Sequence, residues 1–367
     1  MHKRFFCFTF ILIMMCLVLG GCITGAGGNN NDNSAVSGSG SRISDGKLTV
    51  HFLDVGQGDS IFIQIPSGQN VLIDGGERNQ GEKITGYLEE QGISKLDILI
   101  GTHPHSDHIG GLIDVLRNFK VEKIYLPKVT HTTATFRDLL TAVKSQGLKV
   151  STARAGVEIP LEGVEACFAA PVGDTYENLN NYSAVLRLVY GNNSFLFTGD
   201  AEEESEQEML LASNRSLQAD ILKVGHHGSA SSTSNAFLNT VAPKYAVIMC
   251  ETDNDYGHPH KETIEKLNQR GIKIYRTDQD GNIAITSDGN TIKIKTFKDL
   301  LADQEAEPAA PVDPNNDENT CYIGNKNSKK FHCAECTSLP EEHNRIYFNT
   351  RKEAVEAGYS PCSICQP

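Results

Sequence analysis

Residues 103–108 read His-Pro-His-Ser-Asp-His, which places four potential metal ligands within six positions. Ligands this close in sequence converge on one point only if a rigid turn holds them. The flanking residues supply one: Leu96-Asp97-Ile98-Leu99-Ile100-Gly101 is an apolar run of strand character, and Ile109-Gly110-Gly111-Leu112-Ile113 opens a helix. A strand-to-helix loop is a common seat for catalytic groups. Neutral imidazoles with carboxylates suit zinc and its first-row neighbours.

Three later segments share this character, an apolar strand ending in ligand-type residues. They are Phe195-Leu196-Phe197-Thr198-Gly199-Asp200, Ile221-Leu222-Lys223-Val224-Gly225-His226-His227-Gly228, and Ala246-Val247-Ile248-Met249 running on to Tyr256-Gly257-His258-Pro259-His260. Strand ends gathered at one edge of a sheet pair bring such groups around a common point. From residue 47 to 299, strand-like and helix-like runs alternate. Hairpins are expected around Gly56-Gln57-Gly58 and Gly191-Asn192-Asn193, and helices over Thr135–Gln146, Glu202–Ala212 and Lys261–Arg270. This mixture predicts an α/β fold of two sheets packed face to face with helices outside.

The chain of 367 residues carries a formal net charge of −13, which excludes a general electrostatic grip on nucleic acid. A local basic patch or a metal site is not excluded. The N-terminus has the form of an export signal: Lys3-Arg4, an apolar stretch from Phe5 to Leu19, then Leu19-Gly20-Gly21-Cys22. The stretch is short for a membrane span, and its ending resembles the bacterial lipobox. Residues 1–22 are accordingly expected to be a lipoprotein signal peptide with Cys22 the lipidated residue. The chain is then exported and anchored to the outer side of the cell membrane. Residues 23–46, rich in Gly, Asn and Ser, read as a flexible tether. Cys167 and Cys250 lie in apolar runs, with a disulfide between them open. Residues 300–320 form an acidic linker, and a small module begins at Cys321.

The 49–296 stretch resembles the metallo-β-lactamase superfamily, and within it the extracytoplasmic hydrolase domain of ComEC-type competence proteins. The residues that carry the resemblance include His51-Phe52-Leu53-Asp54-Val55-Gly56-Gln57-Gly58-Asp59-Ser60, the 103–108 cluster, Thr198-Gly199-Asp200, His226-His227-Gly228-Ser229 and Tyr256-Gly257-His258-Pro259-His260. The resemblance implies an αββα sandwich and a site for two divalent ions, zinc or manganese. By motif, His103 and His105 hold one ion, Asp107 and His108 the other, and Asp200 bridges them. His226 or His258 closes the second set, His226 being preferred. Asp74 is the carboxylate that orients a ligand. Asp107, His227 and Lys223 are the candidate catalytic groups, the last two for phosphate contact or protonation of a leaving oxygen. One departure stands out: Asn178-Leu179-Asn180-Asn181 holds no histidine where many members have one.

In the C-terminal module, Cys333-Ala334-Glu335-Cys336 and Cys362-Ser363-Ile364-Cys365 form a paired Cys-x-x-Cys arrangement with twenty-five residues between. A module of this size needs a staple such as structural zinc. It is similar to the zinc-binding domain of the Ada DNA-repair protein, over Tyr322 to Pro367. Bare spacing gives Cys333, Cys336, Cys362 and Cys365 as ligands, whereas the family pattern replaces Cys333 by His332. Taken together, the sequence implies a lipid-anchored, metal-dependent hydrolase, with DNA the expected partner and phosphodiesters the expected substrate. A small-molecule ester, lactone or thioester hydrolase and a tethered DNA receptor without turnover are the alternatives.

Overall fold

The computed structural model describes residues 46–212, 216–299 and 322–367, apart from 335, 349, 363 and 366. The expected signal peptide with Cys22, the tether up to residue 45 and the acidic linker lie outside the described residues. Among the described residues, no helix is long and apolar enough to cross a membrane.

Strands β1 (Leu48–Phe52), β2 (Ile61–Gln64), β3 (Asn70–Ile73), β4 (Lys95–Ile100), β5 (Lys120–Pro127) and β6 (Val150–Ala153) open one sheet. A second sheet follows: β7 (Glu165–Phe168), β8 (Leu186–Tyr190), β9 (Asn193–Phe197), β10 (Ile221–Lys223), β11 (Tyr245–Ile248) and β12 (Lys273–Arg276). The chain then returns to the first sheet with β13 (Ile283–Ser287) and β14 (Ile292–Thr296). The spatial orders are β14-β13-β1-β2-β3-β4-β5-β6 and β12-β11-β10-β9-β8-β7.

The strand period of two sorts side chains between layers. On β4, Ile98 and Ile100 enter the core between the sheets while Leu99 faces the helices. On β9, Phe195 and Phe197 enter that same core, and Leu196 faces the opposite outer layer. Each buried aliphatic or aromatic side chain contributes about 1.5–3 kcal/mol. Helices α1 (Gly81–Glu90), α2 (Ser106–Ile109), α3 (Leu112–Asn118) and α4 (Ala134–Ser145) follow in the first half of the chain. Of these, α1, α3 and α4 cover the outer face of the first sheet. Thr133 starts α4 by accepting the Phe136 N–H, and the helix buries Phe136, Leu139, Ala142 and Val143. Helices α5 (Glu203–Leu211), α6 (Asn235–Val241) and α7 (Lys261–Gln269) cover the second sheet through Met209, Phe237, Leu238 and Leu267. The result is the αββα sandwich.

Both expected hairpins form, as β1–β2 and β8–β9. The first strand stops at Phe52, and residues 53–60 leave the sheet to carry Asp59 inward. Cys167 and Cys250 are both thiols. Cys167 lies on β7 and Cys250 follows β11, four strands away. At about 4.8 Å per strand that gap far exceeds disulfide reach.

The C-terminal segment is a four-stranded sheet, β15 (Tyr322–Asn325), β16 (Lys330–His332), β17 (Arg345–Phe348) and β18 (Ser360–Pro361), with one helix, α8 (Arg351–Glu356). Its buried cluster is Phe331, Phe348, Ala354 and Tyr359. So small a core needs a further cross-link.

Candidate metal centre

The expected groups meet where β3, β4, β9 and β10 end. Asp74 follows β3, residues 103–108 follow β4 and open α2, Asp200 follows β9, and His226-His227 follow β10. The β1–β2 loop adds Asp59. Gly58 has φ +138°, and a Cβ there would stand 2.3 Å from the Asp107 carbonyl oxygen. The loop therefore lies directly against the ligand turn, and the Asp59 N–H donates to that same carbonyl.

Asp74 is fully buried. Its Oδ1 accepts the Thr102 N–H at 2.8 Å, and its Oδ2 accepts the Thr102 hydroxyl at 2.6 Å and His108 Nδ1 at 2.8 Å. Burial pushes its carboxyl up, partly offset by His108. With Nδ1 donating to Asp74, His108 presents Nε2 to the centre. His227 is fixed in the same sense: Nδ1 donates to the Met249 carbonyl at 2.9 Å, leaving Nε2 inward.

Around these two nitrogens stand carboxylates. His108 Nε2 lies 3.2 Å from Asp200 Oδ2, and His227 Nε2 lies 3.3 Å from both Asp107 Oδ2 and Asp200 Oδ2. One ligand atom from each of Asp107, His108, Asp200 and His227 falls within 4.8 Å of the others. His103 Nε2 faces His105 Nδ1 at 3.0 Å and Asp200 Oδ2 at 3.8 Å. Burial lowers both of those imidazoles, with His108 adding to it. His108 and His227 are held well above the ordinary range, since Asp200 and its neighbouring carboxylates outweigh the effect of burial.

The donor set fits divalent cations. Asp200 Oδ1, His108 Nε2 and His227 Nε2 are all buried without a hydrogen-bond partner. Orphaned polar atoms of this kind are costly unless something satisfies them, and a cation among these lone pairs does so.

Two of the expected residues sit elsewhere than the sequence places them. The first concerns the histidine that joins Asp107, His108 and Asp200, which is His227 and neither His226 nor His258. Residues 226 and 227 both adopt left-handed backbone, φ 47° and 52°, and the turn sends His227 inward, 1% exposed. His226 points outward instead, with Nδ1 2.9 Å from Glu202 Oε1 and Nε2 3.9 Å from Asp200 Oδ2. His258 sits beside it, the ring centroids 5.2 Å apart. The second concerns Lys223, which is not at the mouth of the site. It is fully buried, its Nζ 2.6 Å from Asp59 Oδ2 and 2.9 Å from the Gly199 carbonyl oxygen. No substrate reaches it there.

Asp59, to which the sequence assigns no role, is the partner of Lys223. Burial opposes its charge, but Lys223, His227 and His108 prevail and hold its pKa low. Sequence reasoning also missed a polar bracket: the Asn180 and Asn178 amides donate to the two oxygens of Glu202 at 3.0 and 2.8 Å. It occupies the segment where the histidine is lacking.

The centre lies at the floor of a 540 Å³ cleft bordered by His105, His131, Glu77, Glu251, Tyr256 and His258. In the C-terminal segment, His332, Cys336, Cys362 and Cys365 bring ligand atoms within 4.8 Å of one another. His332 Nδ1 is 3.3 Å from Cys336 Sγ. The Ile364 N–H donates to Cys362 Sγ and, with Cys365, pulls that thiol down to about 7. Cys333, the bare-spacing alternative, is not one of these four, and its thiol meets that of Cys365. Four S/N donors at this separation suit a tetrahedral ion.

The sequence pattern of the metallo-beta-lactamase superfamily matches residues 53–252, and that of the metal binding domain of Ada matches 312–367. The chain is 34% identical over 251 residues to ComE operon protein 3 of Bacillus subtilis, covering 64% of this chain and 32% of that protein. It is 30% identical over 263 residues to Recombination protein 2 of Haemophilus influenzae, covering 70% and 30%. It is 29% identical over 240 residues to Competence protein ComA of Neisseria gonorrhoeae, covering 65% and 32%. The chain thus spans about a third of the length of these curated relatives. By its matched residues, its two packed sheets and its cluster of histidines and aspartates, the chain belongs to the metallo-beta-lactamase superfamily.

Proposed function

We propose that the protein is an exported, lipid-anchored hydrolase that uses divalent cations to cleave phosphodiester bonds in external DNA. The observation that carries the hydrolytic reading is the set of orphaned ligand atoms on His108, His227 and Asp200 at the floor of an open cleft. The DNA reading is supported by relatives whose names refer to competence and recombination.

In this proposal His103 and His105 hold one ion, Asp107, His108 and His227 the other, and Asp200 serves both; zinc and manganese both suit these donors. Such ions, when bound, acidify water and neutralise charge on the attacking and leaving oxygens. The chain's own residues supply the geometry. Asp74 and the Met249 carbonyl hold the Nδ1 atoms of His108 and His227 and so turn each Nε2 toward the centre, where a bound cation would take the place of a proton. Lys223 offsets the charge of Asp59 behind it. Glu202 accepts from His226 Nδ1 and orients the ring, whose Nε2 faces the space above Asp200 and can accept a hydrogen bond from substrate or water. A structural zinc on His332, Cys336, Cys362 and Cys365 completes the C-terminal fold, and Lys326, Lys329, Lys330, Arg345 and Arg351 make that segment a candidate DNA contact.

The test is cleavage of single- and double-stranded DNA by the purified full chain with manganese or zinc. Cleavage that vanishes in the Asp107→Ala, His108→Ala double variant supports the proposal; cleavage undiminished by that change overturns it. A second reading, hydrolysis of a small ester, lactone or thioester, draws support from the modest cleft volume and from the lack of Lys or Arg among the described residues lining it. A panel of chromogenic esters, lactams and bis(p-nitrophenyl) phosphate separates the two.

A further inference from the structure

The cleft poses an electrostatic problem for a DNA substrate. Glu77, Asp107, Asp200 and Glu251 line it, and no Lys or Arg does so among the described residues. Resident cations can neutralise the scissile phosphate, but the adjoining nucleotides meet an acidic wall. Something other than charge has to hold them.

One residue at the rim is built for that task. Tyr256 is 66% exposed, by far the largest apolar group bordering the cleft that is left open to solvent. Its ring stacks on His258, centroids 5.7 Å apart at 19°. His258 meets His226 edge-on at 5.2 Å, and His226 meets His227 at 6.0 Å. A ladder of rings therefore leads from the exposed tyrosine down to the ligand cluster.

The loop that presents this ring is braced from within. The Asn254 side chain accepts the Tyr256 and His258 N–H groups at 3.2 and 2.9 Å and donates to the Glu251 and His258 carbonyls at 2.8 and 2.6 Å. Pro259 fills the space beside Gly228, where a Cβ would come within 2.5 Å of it, so the loop is seated on the His226-His227 turn. An aromatic face so exposed and so firmly placed has its entropy cost of ordering already met.

We infer that Tyr256 is a stacking platform for a base of single-stranded DNA, a few nucleotides along from the phosphate at the metal centre. The inference rests on the phosphodiester reading above and names its substrate form. Base–aromatic stacking is indifferent to charge and to sequence, which is what an acidic cleft acting on varied DNA requires. Bases within a duplex are stacked on each other and present no free face, so the platform selects single strands.

One property of the chain makes the test direct. It contains no tryptophan, so Tyr256→Trp installs a sole indole reporter at the platform. Binding of a labelled oligothymidine and of its abasic counterpart is measured by anisotropy with the full chain. The parent and Tyr256→Phe should prefer the base-bearing strand, and Tyr256→Ala should weaken binding to that strand by about 5- to 150-fold while barely altering the abasic one. Fluorescence of the Tyr256→Trp protein should be quenched by oligothymidine and not by the abasic strand or a duplex. Equal losses on both strands in Tyr256→Ala, or affinity for oligothymidine within twofold of the parent, overturn the inference. If the parent cleaves neither DNA nor bis(p-nitrophenyl) phosphate, the hydrolytic reading fails, yet the ratio of base-bearing to abasic binding still decides the role of Tyr256.

Discussion

Replacing Lys223 by Met removes the buried ammonium while keeping an unbranched side chain of similar length. Asp59 is then left 1% exposed, its carboxylate without the cation that stood 2.6 Å away. At an effective dielectric near 20, Coulomb attraction at that distance is roughly 6 kcal/mol before desolvation is counted. Breaking one partner of a buried pair costs about 3–5 kcal/mol in practice. The Gly199 carbonyl also loses its donor. For a domain of this size each kcal/mol moves Tm by about 2–4 °C, so Lys223→Met should lower the principal thermal transition by about 6–20 °C. Calorimetry on chelator-treated full chain reads this directly. Lys223→Met combined with Asp59→Asn removes both charges and should regain at least half of the loss. A single variant within about 1 kcal/mol of the parent, or a double variant no more stable than the single, would refute the assignment of Lys223 as internal counter-charge.

Asp74→Asn weakens the carboxylate that holds His108 Nδ1, and cation affinity should fall about 10- to 100-fold, measured by competition with a calibrated chelator; an unchanged affinity would mean His108 is oriented by other contacts. His51 lies apart from the metal centre, its Nε2 donating to Gln64 Oε1 and its Nδ1 accepting from the Tyr87 hydroxyl. Burial holds its imidazole below the ordinary 6.5, with Gln64 offsetting only part of that. The unfolded chain therefore binds the proton more readily, and the stability this residue contributes is present above 6.5 and lost as pH falls below it toward the folded value. His51→Gln should flatten that part of the Tm–pH curve; an identical slope would show that another group sets it. In the C-terminal segment, His332→Ala should release the structural ion to a colorimetric chelator at a concentration where Cys333→Ser retains it, and the reverse order would restore Cys333 as ligand.

The parts of this protein legible in its sequence are those whose geometry is local. Residues 103–108 could be read as a ligand turn because a strand, a tight loop and a helix start lie within a dozen positions. The hairpins at Gly56–Gly58 and Gly191–Asn193 are announced by turn chemistry, and β4, β9, β10 and β11 by short runs rich in apolar residues. The place of Lys223 is illegible in the sequence for the opposite reason. It ends a short parallel strand, a place where lysines are ordinarily solvated, and only the β1–β2 loop, brought in from more than 160 residues earlier in the chain, seals it over and supplies Asp59. The helical histidine pattern of other metal sites offers no guide at 226 and 227 either. In extended or helical backbone two adjacent side chains diverge in a known sense, but here both residues take left-handed conformations, each costing roughly 1–2 kcal/mol for a residue with a Cβ. Strain of that kind persists only where surrounding structure enforces it. The Met249 carbonyl behind His227 and Glu202 beside His226 are that enforcement: one fixes an inward nitrogen among the carboxylates, the other turns its neighbour to the cleft. The assignment of roles within this pair is thus made by residues 22 positions downstream and 24 upstream, and no reading of the dipeptide alone could have made it.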